Sequence, residues 1–261
     1  MKDAVNYDVA EFAEGRFRKA QVKAIQEVPL TVYLNGQEVV TLLCTGKHPR
    51  FLAVGFLKSD GLVTGVEQLR DIHVEQEPDR LKVHVETSHD PFEHQKPGRS
   101  ITSGCGKGTN FERNAETAAA TTVAGQLSVT PRQVLRLADE LQSRSTLYMA
   151  TRGCHNASLA TPDEILMFRE DIGRHNAIDM ICGQCFLDNI STEDKLIVTT
   201  GRVASEILLK AIRLGVSILV SGSAATRFSI DLARKTNFTL IGHVGQERMV
   251  IYNSGGRIEG L

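Results

Sequence analysis

Two apolar runs near the start of the chain, residues 30–34 and 38–43, alternate with polar positions or are β-branched. They flank Asn35-Gly36, the dipeptide that best suits a two-residue type I′ hairpin turn. The pattern therefore predicts a β-hairpin here. Beyond it, the spacing of apolar residues predicts one helix and two short strands, at residues 50–59 (ending near Gly61), 71–74 and 81–85.

The second half of the chain alternates strand-like and helix-like runs. It opens with Thr130-Pro131-Arg132-Gln133, which combines an N-cap threonine, a proline at the first helical position and a capping-box glutamine. This string predicts a helix to about residue 143. The runs that follow predict strands at 165–169, 195–200, 216–221, 239–243 and 249–252, and helices at 174–188, 203–214 and 226–236. Such alternation is typical of helices packed on a largely parallel sheet.

A long polar segment, residues 86–109, lies between the two halves and has neither a helical nor a strand period. Loops of this length inside a compact protein are usually functional or disordered. Near its end lies Ser103-Gly104-Cys105-Gly106-Lys107-Gly108. The glycines leave the sulfur uncovered, and the lysine stabilises thiolate over thiol. We interpret Cys105 as a reactive thiol; the alternative is a surface turn with an incidental cysteine.

The composition excludes several classes of function. The 261 residues can bury a sizeable core and fit one large domain or two unequal ones. With a net charge of -1, nothing favours binding to nucleic acid or a membrane through a global charge imbalance. The first residues lack the apolar core of a secretory signal, and no apolar stretch is long enough to cross a bilayer, so we expect a cytoplasmic protein. Five scattered cysteines are unlike a disulfide framework and are expected to be reduced.

Three turns of polar or small residues come where a predicted strand gives way to a helix: 168–176, 199–202 and 221–226. In open α/β sheets that edge binds ligands, because loops converge there and helix N-termini present unpaired amide donors. Arg174 and His175 could meet an anion there; the alternative is a cap in which Asp171 satisfies amides and Arg174 is solvated. Arg202 can hold a phosphate bidentately. Three such turns on one edge indicate a large ligand that carries phosphate.

Two cysteine-containing strings suggest metal or redox chemistry at first. Cys154-His155 can supply a metal ligand or a general base, but a lone Cys-His pair more often packs at an element boundary. Cys182-Gly183-Gln184-Cys185 lies inside a helical run, whereas redox pairs sit at a helix N-terminus, so we favour a half-buried helical face. A zinc-dependent nucleobase hydrolase needs a His or Cys followed two residues later by Glu, then Pro-Cys-x-x-Cys, and the sequence has neither half.

Several strings together resemble the formate dehydrogenase accessory sulfurtransferase family, FdhD. They are Glu27-Val28-Pro29-Leu30 followed by Asn35-Gly36, Gly55-Phe56-Leu57, Gly153 with His155, Glu170-Asp171-Ile172-Gly173-Arg174-His175-Asn176-Ala177, and Thr200-Gly201-Arg202-Val203. Their order and joint presence are highly specific, whereas any one alone would not be. The loop departs from the family's usual Cys-x-x-Cys: if Cys105 is the first of the pair, Gly108 replaces the second, and if it is the second, Thr102 replaces the first. A persulfide needs only one cysteine, so sulfur carriage survives this change.

The resemblance implies an α/β protein, α+β overall, with a smaller β-rich N-terminal domain at 1–128. It implies that 129–261 form a three-layer domain similar to cytidine deaminases, with a mainly parallel sheet and without their zinc chemistry. It also implies a sulfurtransferase that takes a persulfide from a cysteine desulfurase on catalytic Cys105. The sulfur would pass to the bis-molybdopterin guanine dinucleotide molybdenum cofactor destined for formate dehydrogenase.

By the same resemblance, the cofactor binds at the C-terminal sheet edge and the protein forms a homodimer. The residues expected to hold the cofactor are Arg174, His175, Arg202, Ser223, His243, Val244, Gly245, Gln246, Glu247 and Arg248. Gly245 stands where an arginine is expected. A chaperone that binds this cofactor and its protein partners without moving sulfur is the main alternative.

Overall fold

Three sheets and six α-helices make up the part of the chain that the structure, a computed structural model, describes: residues 3–89, 92, 101–102, 123 and 125–261. The first sheet is a two-stranded antiparallel ribbon, β1 (Ala4–Ala13) and β2 (Arg16–Ile25). Its turn residues Glu14 and Gly15 have φ of 53° and 77°, the left-handed region that a type I′ turn requires. The sequence pattern predicts no element before residue 30, so this ribbon is an addition to the predicted fold.

A five-stranded sheet follows, in the order β5-β6-β3-β4-β7. The predicted hairpin is confirmed, since β3 and β4 pair antiparallel around Asn35-Gly36, and both of these residues have positive φ. β7 pairs parallel with β4, so the predicted loop 86–109 contains one short strand, and β6 takes the first two residues of that loop. The strands are β3 (Val28–Leu34), β4 (Gln37–Cys44), β5 (Leu69–Gln76), β6 (Leu81–Thr87) and β7 (Ile101–Thr102).

A six-stranded sheet forms the second half, in the order β13-β12-β11-β10-β8-β9. The predicted α/β class is confirmed, but the sheet is mixed: only β10, β11 and β12 pair in parallel. Two strands make the difference. β13 pairs antiparallel with β12, and β8 lies antiparallel between β10 and β9. The sequence pattern does not predict β8, because alanine and serine weaken its apolar pattern. The strands are β8 (His155–Ala160), β9 (Ile165–Asp171), β10 (Leu196–Thr199), β11 (Ile218–Ser221), β12 (Thr239–Gly245) and β13 (Arg248–Asn253).

Helices cover both faces of the six-stranded sheet, so the expected three layers are present. The helix α2 (Pro131–Ser143) buries Val134, Leu137 and Leu141 against one face. Three helices pack together on the other face: α4 (Arg174–Leu187), α5 (Ser205–Leu214) and α6 (Arg227–Lys235). The capping box that begins α2 is confirmed, since the Thr130 hydroxyl accepts from Gln133 N at 3.2 Å. A short helix, α3 (Thr146–Thr151), follows α2. Among the described helices, none is long and apolar enough to span a membrane.

The two large sheets are joined by a very close contact between α4 and the helix α1 (Pro49–Asp60), which ends at Gly61 as predicted. At the crossing, Gly55 of α1 faces Gly183 of α4: a Cβ on Gly55 would lie 2.8 Å from Gly183 N. The α4 residue Met180 is fully buried in the core of the five-stranded sheet. The division of the chain into domains at 128/129 remains a prediction, and the two cores it separates share this helix pair.

Candidate functional site

The carboxyl ends of four strands meet at one edge of the six-stranded sheet. β10, β11 and β12 are parallel, and β9 runs in their direction because β8 is antiparallel to both β9 and β10. The turns after β9, β10 and β11 are therefore neighbours, as the sequence predicted, and the first residues of β8 join them. Such an edge is where α/β sheets bind ligands.

Hydrogen bonds between these turns fix their positions. Thr200 N donates to Asn156 O at 3.0 Å, which joins the end of β10 to the start of β8. Gly222 N donates to Thr199 O at 2.9 Å, which joins the turn after β11 to the end of β10. Side chains add to these contacts, since the hydroxyls of Thr199 and Ser221 donate to Asn156 O and Gly201 O at 2.9 and 2.8 Å. The turns of this edge are thus held in place by hydrogen bonds among themselves.

A cluster of cationic and ionisable side chains lies around the start of α4. Burial lowers the pKa of His155, and the positive charges of Arg174 and His175 lower it further. His175 Nε2 lies 3.2 Å from Glu206 Oε2 in the first turn of α5, and this contact lowers the pKa of Glu206. The cluster therefore combines a permanent cation, Arg174, with two histidines that can take a proton, so it offers donors to an anion.

Arg174 lies against Gly201, which follows β10. A Cβ on Gly201 would lie 2.8 Å from Arg174 Cβ, so only glycine lets this side chain pass the turn. Arg174 Nε is buried and has no hydrogen-bond partner among the described residues. A buried donor without a partner is costly, and a phosphate oxygen would satisfy it. Arg202, the third residue after β10 and the neighbour of Gly201 along the chain, is exposed.

The alternative interpretation of the turn at 168–176, a helix cap with a solvated Arg174, is correct for Asp171 and wrong for Arg174. Asp171 does accept from Gly173 N at 2.9 Å, just before the helix begins. Its carboxylate also accepts from the Thr45 amide and hydroxyl at 2.8 and 2.9 Å and from Asn176 Nδ2 at 2.7 Å. Arg174, however, is half-buried against Gly201 and is not freely solvated. Asp171 thus ties the turn to the five-stranded sheet and leaves Arg174 available.

The remaining predicted cofactor residues occupy the far end of the same edge. His243 N donates to Ser223 O at 3.0 Å, which places the turn after β11 beside the end of β12. The stretch from Gly245 to Arg248 is the hairpin turn between β12 and β13, and its two central residues have positive φ. Val244 differs from its neighbours, because its side chain packs in the core on the α2 side. Its expected role in cofactor binding can involve only its backbone.

The sequence interpretation undervalued His155 and did not single out Glu206. The sequence analysis considers His155 only as a metal ligand or a general base, although the structure places it at the start of the buried strand β8, among the other edge residues. The sequence around Glu206 indicates only an acidic residue in the first turn of a helix, which is common. Its contact with His175 depends on how α4 and α5 pack.

The four cysteines that the structure describes are all buried, with no more than 5% of any of them exposed. Burial raises the pKa of Cys44 and Cys182 to about 12, and that of Cys154 and Cys185 to about 11. The prediction that Cys182 and Cys185 lie on a helix is confirmed, since both are inside α4. Both side chains are buried, whereas the prediction was a half-buried face. None of these thiols is suited to nucleophilic chemistry, because the thiolate is the reactive form. Cys105 lies outside the described residues, and within those residues no three His, Cys, Asp or Glu side chains could hold a metal ion.

These features define an α/β protein with an anion-suited sheet edge. A family model described as the FdhD/NarQ family matches residues 25–259. The chain is 38% identical over 253 residues to the sulfur carrier protein FdhD of Bacillus subtilis (strain 168), covering 96% of each chain. It is 38% identical over 250 residues to the protein of that name from Geobacillus kaustophilus (strain HTA426), covering 96% of this chain and 95% of the relative.

The fold is also found in solved structures. A crystal structure assigned as a formate dehydrogenase accessory protein from Desulfotalea psychrophila superposes with a TM-score of 0.80 at 20% identity, covering 98% of this chain and 100% of that chain. The chain belongs to the FdhD/NarQ family, in which its curated relatives are sulfur carrier proteins.

Proposed function

We propose that this protein is a cytoplasmic sulfurtransferase that carries sulfane sulfur on Cys105, from a cysteine desulfurase to the bis-molybdopterin guanine dinucleotide molybdenum cofactor of formate dehydrogenase. The names of its relatives support sulfur carriage. The observation that carries the assignment to Cys105 is the burial of the other four thiols, each with a raised pKa. Cys105 is the one cysteine set between glycines and next but one to a lysine.

The first transfer is a thiolate attack on a persulfide. The Cys105 thiolate attacks the terminal sulfur of the desulfurase persulfide, the sulfur–sulfur bond of the donor breaks, and the donor cysteine leaves as a thiolate. Cys105 now bears the persulfide. In the second transfer the sulfur–sulfur bond on Cys105 breaks and Cys105 leaves as a thiolate, ready for another cycle. The two electrons that reduce the sulfane sulfur to sulfide would come from the molybdenum of the cofactor that receives it.

The cofactor is the substrate of this reaction, and the sheet edge supplies groups that match it. Its guanine dinucleotide halves carry phosphates, for which a guanidinium offers paired donors and a helix N-terminus offers amides. Arg174, at the start of α4, has a buried Nε with no hydrogen-bond partner among the described residues. The exposed Arg202 follows Gly201, against which Arg174 lies. Ser223 and His243 continue the edge toward the β12–β13 hairpin, where the second half of a long ligand would reach.

Incubation with a cysteine desulfurase and cysteine tests the carrier thiol. Intact-mass spectrometry should show one added sulfur on the wild-type chain and none on Cys105→Ser, because the attacking thiolate is lost. The matched variant Cys185→Ser changes a buried thiol and should gain the sulfur as the wild type does. An adduct that persists on Cys105→Ser would assign the sulfur to another thiol and refute the proposal.

Guanosine diphosphate, as a fragment of the cofactor, tests the sheet edge. Its phosphates should raise the pKa of His155, because they offset the positive charges of Arg174 and His175 that now lower it. Arg174→Gln should raise the same pKa without nucleotide and weaken nucleotide binding by about tenfold or more. Histidine-ring NMR and calorimetry measure the two effects, with the exposed Arg80→Gln as the control. Unchanged affinity in Arg174→Gln would place the nucleotide elsewhere.

A further inference from the structure

A cavity lies at the end of the helices opposite the sheet edge. Its volume is about 340 Å³, within the size range of small-molecule sites. The last turns of α1, α4 and α5 surround it, and the exposed Val66 and Glu67 of a short 3₁₀ helix form its rim. Arg174 begins α4 and Phe186, near the end of α4, lines the cavity, so about 18 Å of helix separates them. The cavity is therefore separate from the proposed cofactor site.

Hydrogen bonds hold the walls of the cavity in place. At the end of α5, the Thr192 hydroxyl donates to Leu214 O at 2.6 Å. At the end of α4, Ile190 N donates to Cys185 O at 2.9 Å. All four residues line the cavity. Walls that are already ordered favour binding, because a ligand then loses little affinity to ordering them.

The lining combines apolar and basic side chains. The apolar wall consists of Val66, Phe186, Ile190 and Leu214. The bases are Lys58, Lys210 and Arg213, and Glu67 is the one acid among the described residues of the lining. An apolar wall with a few polar groups is the usual composition of a site for a small organic molecule.

Two of the three bases have no acidic partner. Lys210 is balanced, because its ammonium donates to both carboxylate oxygens of Asp179 at 2.6 and 2.8 Å. Lys58 and Arg213 each donate to a backbone carbonyl instead. Burial lowers the pKa of both. A partly buried cation that lacks a close carboxylate is stabilised by an anion from solution.

The helix ends account for only part of the bonding capacity of these two bases. Basic side chains in the last turn of a helix commonly bind the free carbonyl groups there. Lys58 and Arg213 each use one N–H for such a bond. An ammonium has three donors and a guanidinium has five, so most of their donors remain for a ligand.

The charges around the cavity favour a ligand with a single negative charge. Once Lys210 and its partner are set aside, the two remaining bases and Glu67 leave one positive charge. Asp60 lies outside the lining, and its charge raises the pKa of Arg213, so it offsets part of this excess. A phosphate monoester would bring a charge of about -1.5 to -2, which exceeds it. A carboxylate brings one charge and binds a guanidinium through two parallel hydrogen bonds.

We propose that this cavity binds a small monocarboxylate, whose carboxylate meets Lys58 and Arg213 while its apolar chain or ring packs on the apolar wall. The ligand class differs from the phosphate-bearing cofactor proposed for the sheet edge. The test of the cavity therefore gives a result whether or not Cys105 carries sulfur.

A series of straight-chain acids tests both parts of the ligand. Calorimetry and ligand-observed NMR on the full chain should show hexanoate at one site, and butyrate should bind about tenfold or more weakly because it lacks two methylenes. Hexanamide has the same chain without the charge and should also lose about tenfold or more. Absence of saturable hexanoate binding, or equal affinity for hexanoate and hexanamide, would overturn the proposal.

Substitution of the two unpaired bases locates the binding. Arg213→Gln should weaken hexanoate binding about tenfold or more, whereas Arg234→Gln, which removes an exposed arginine from the last turn of α6, should leave it unchanged. Because Arg213→Gln also loses the bond to Ser59 O, Lys58→Gln repeats the test from α1. Melting temperatures show that each variant is folded. Wild-type affinity in both Arg213→Gln and Lys58→Gln would place hexanoate elsewhere and refute the assignment.

Two further ligands test the class and the separateness of the site. Benzoate should bind more tightly than phenyl phosphate, and the reverse order would overturn the choice of a carboxylate. Guanosine diphosphate should leave the affinity for hexanoate unchanged. Competition between the two would show that the cavity is not a site of its own, which would also overturn the proposal.

Discussion

Formate dehydrogenase activity should fall by about 100-fold or more in a strain whose only copy of this protein carries Cys105→Ser. The expectation follows from the chemistry of the loop, because serine cannot form a persulfide and a carrier without its nucleophile has no intermediate to pass on. The assay is the specific activity of formate dehydrogenase in extracts, compared with the wild-type strain. The amount of the variant protein is measured alongside it.

Cys154→Ser is the control for this experiment. Cys154 is buried beside the start of β8, and its pKa is raised to about 11, so it should not carry sulfur. The variant should retain most of the activity. Should Cys105→Ser also retain it, the chain would bind the cofactor without moving sulfur, and the chaperone alternative would replace the carrier.

Lys107, two residues after Cys105, allows a test of how the thiol is activated. If the lysine acts by favouring the thiolate, Lys107→Gln should slow sulfur acceptance at neutral pH, and raising the pH should restore the rate as the thiol ionises. If no increase in pH restores the rate of sulfur acceptance, Lys107 binds a partner instead. The distinction separates the chemistry of the thiol from the docking of the desulfurase.

Local signals in the sequence predicted most of the fold. The Asn35-Gly36 turn, the Thr130 capping box and the helix over residues 174–187 depend on neighbours along the chain, and all three are present. β8 was not predicted, because its alanine and serine residues are buried through pairing on both sides and not through apolar side chains. The ribbon was not predicted, although Val5, Tyr7 and Val9 alternate and Glu14-Gly15 marks a turn.

The candidate site was likewise predicted only in part from the sequence. Arg174 and Arg202 were predicted to share an edge from the rule that strand ends converge in α/β sheets, and the structure places both turns there. The contact of His175 with Glu206 and the effect of Arg174 on His155 could not be predicted, because they depend on side-chain packing between elements distant in the sequence.

The stability of the protein should depend strongly on the glycines at the crossing of α1 and α4. Gly55→Ala should reduce the free energy of unfolding by about 3 kcal/mol or more, because overpacking at a close backbone contact forces the helices apart. A Cβ on Gly55 would lie 1.7 Å from Asp179 O, and one on Gly183 would lie 1.9 Å from Phe51 O. Neither atom belongs to a flexible side chain that could move away. The gain in helix propensity from alanine, about 1 kcal/mol, is too small to offset this clash.

Thermal and denaturant unfolding measure the effect, and the melting temperature should fall by about 6–12 °C. Gly222→Ala is the control for the added methyl group, since its Cβ would come no closer than 3.8 Å to any atom beyond the neighbouring residues of the chain. Gly222 lies in a turn, so this control carries no gain in helix propensity. Gly55→Ala and Gly183→Ala together should cost less than the sum of the two, because the first substitution already separates the helices. Additive losses, or a Gly55→Ala variant as stable as the wild type, would show that the helices do not cross this closely. The crossing links the first turn of α4, with Arg174 and His175, to the five-stranded sheet that contains β7, so the proposed site depends on it.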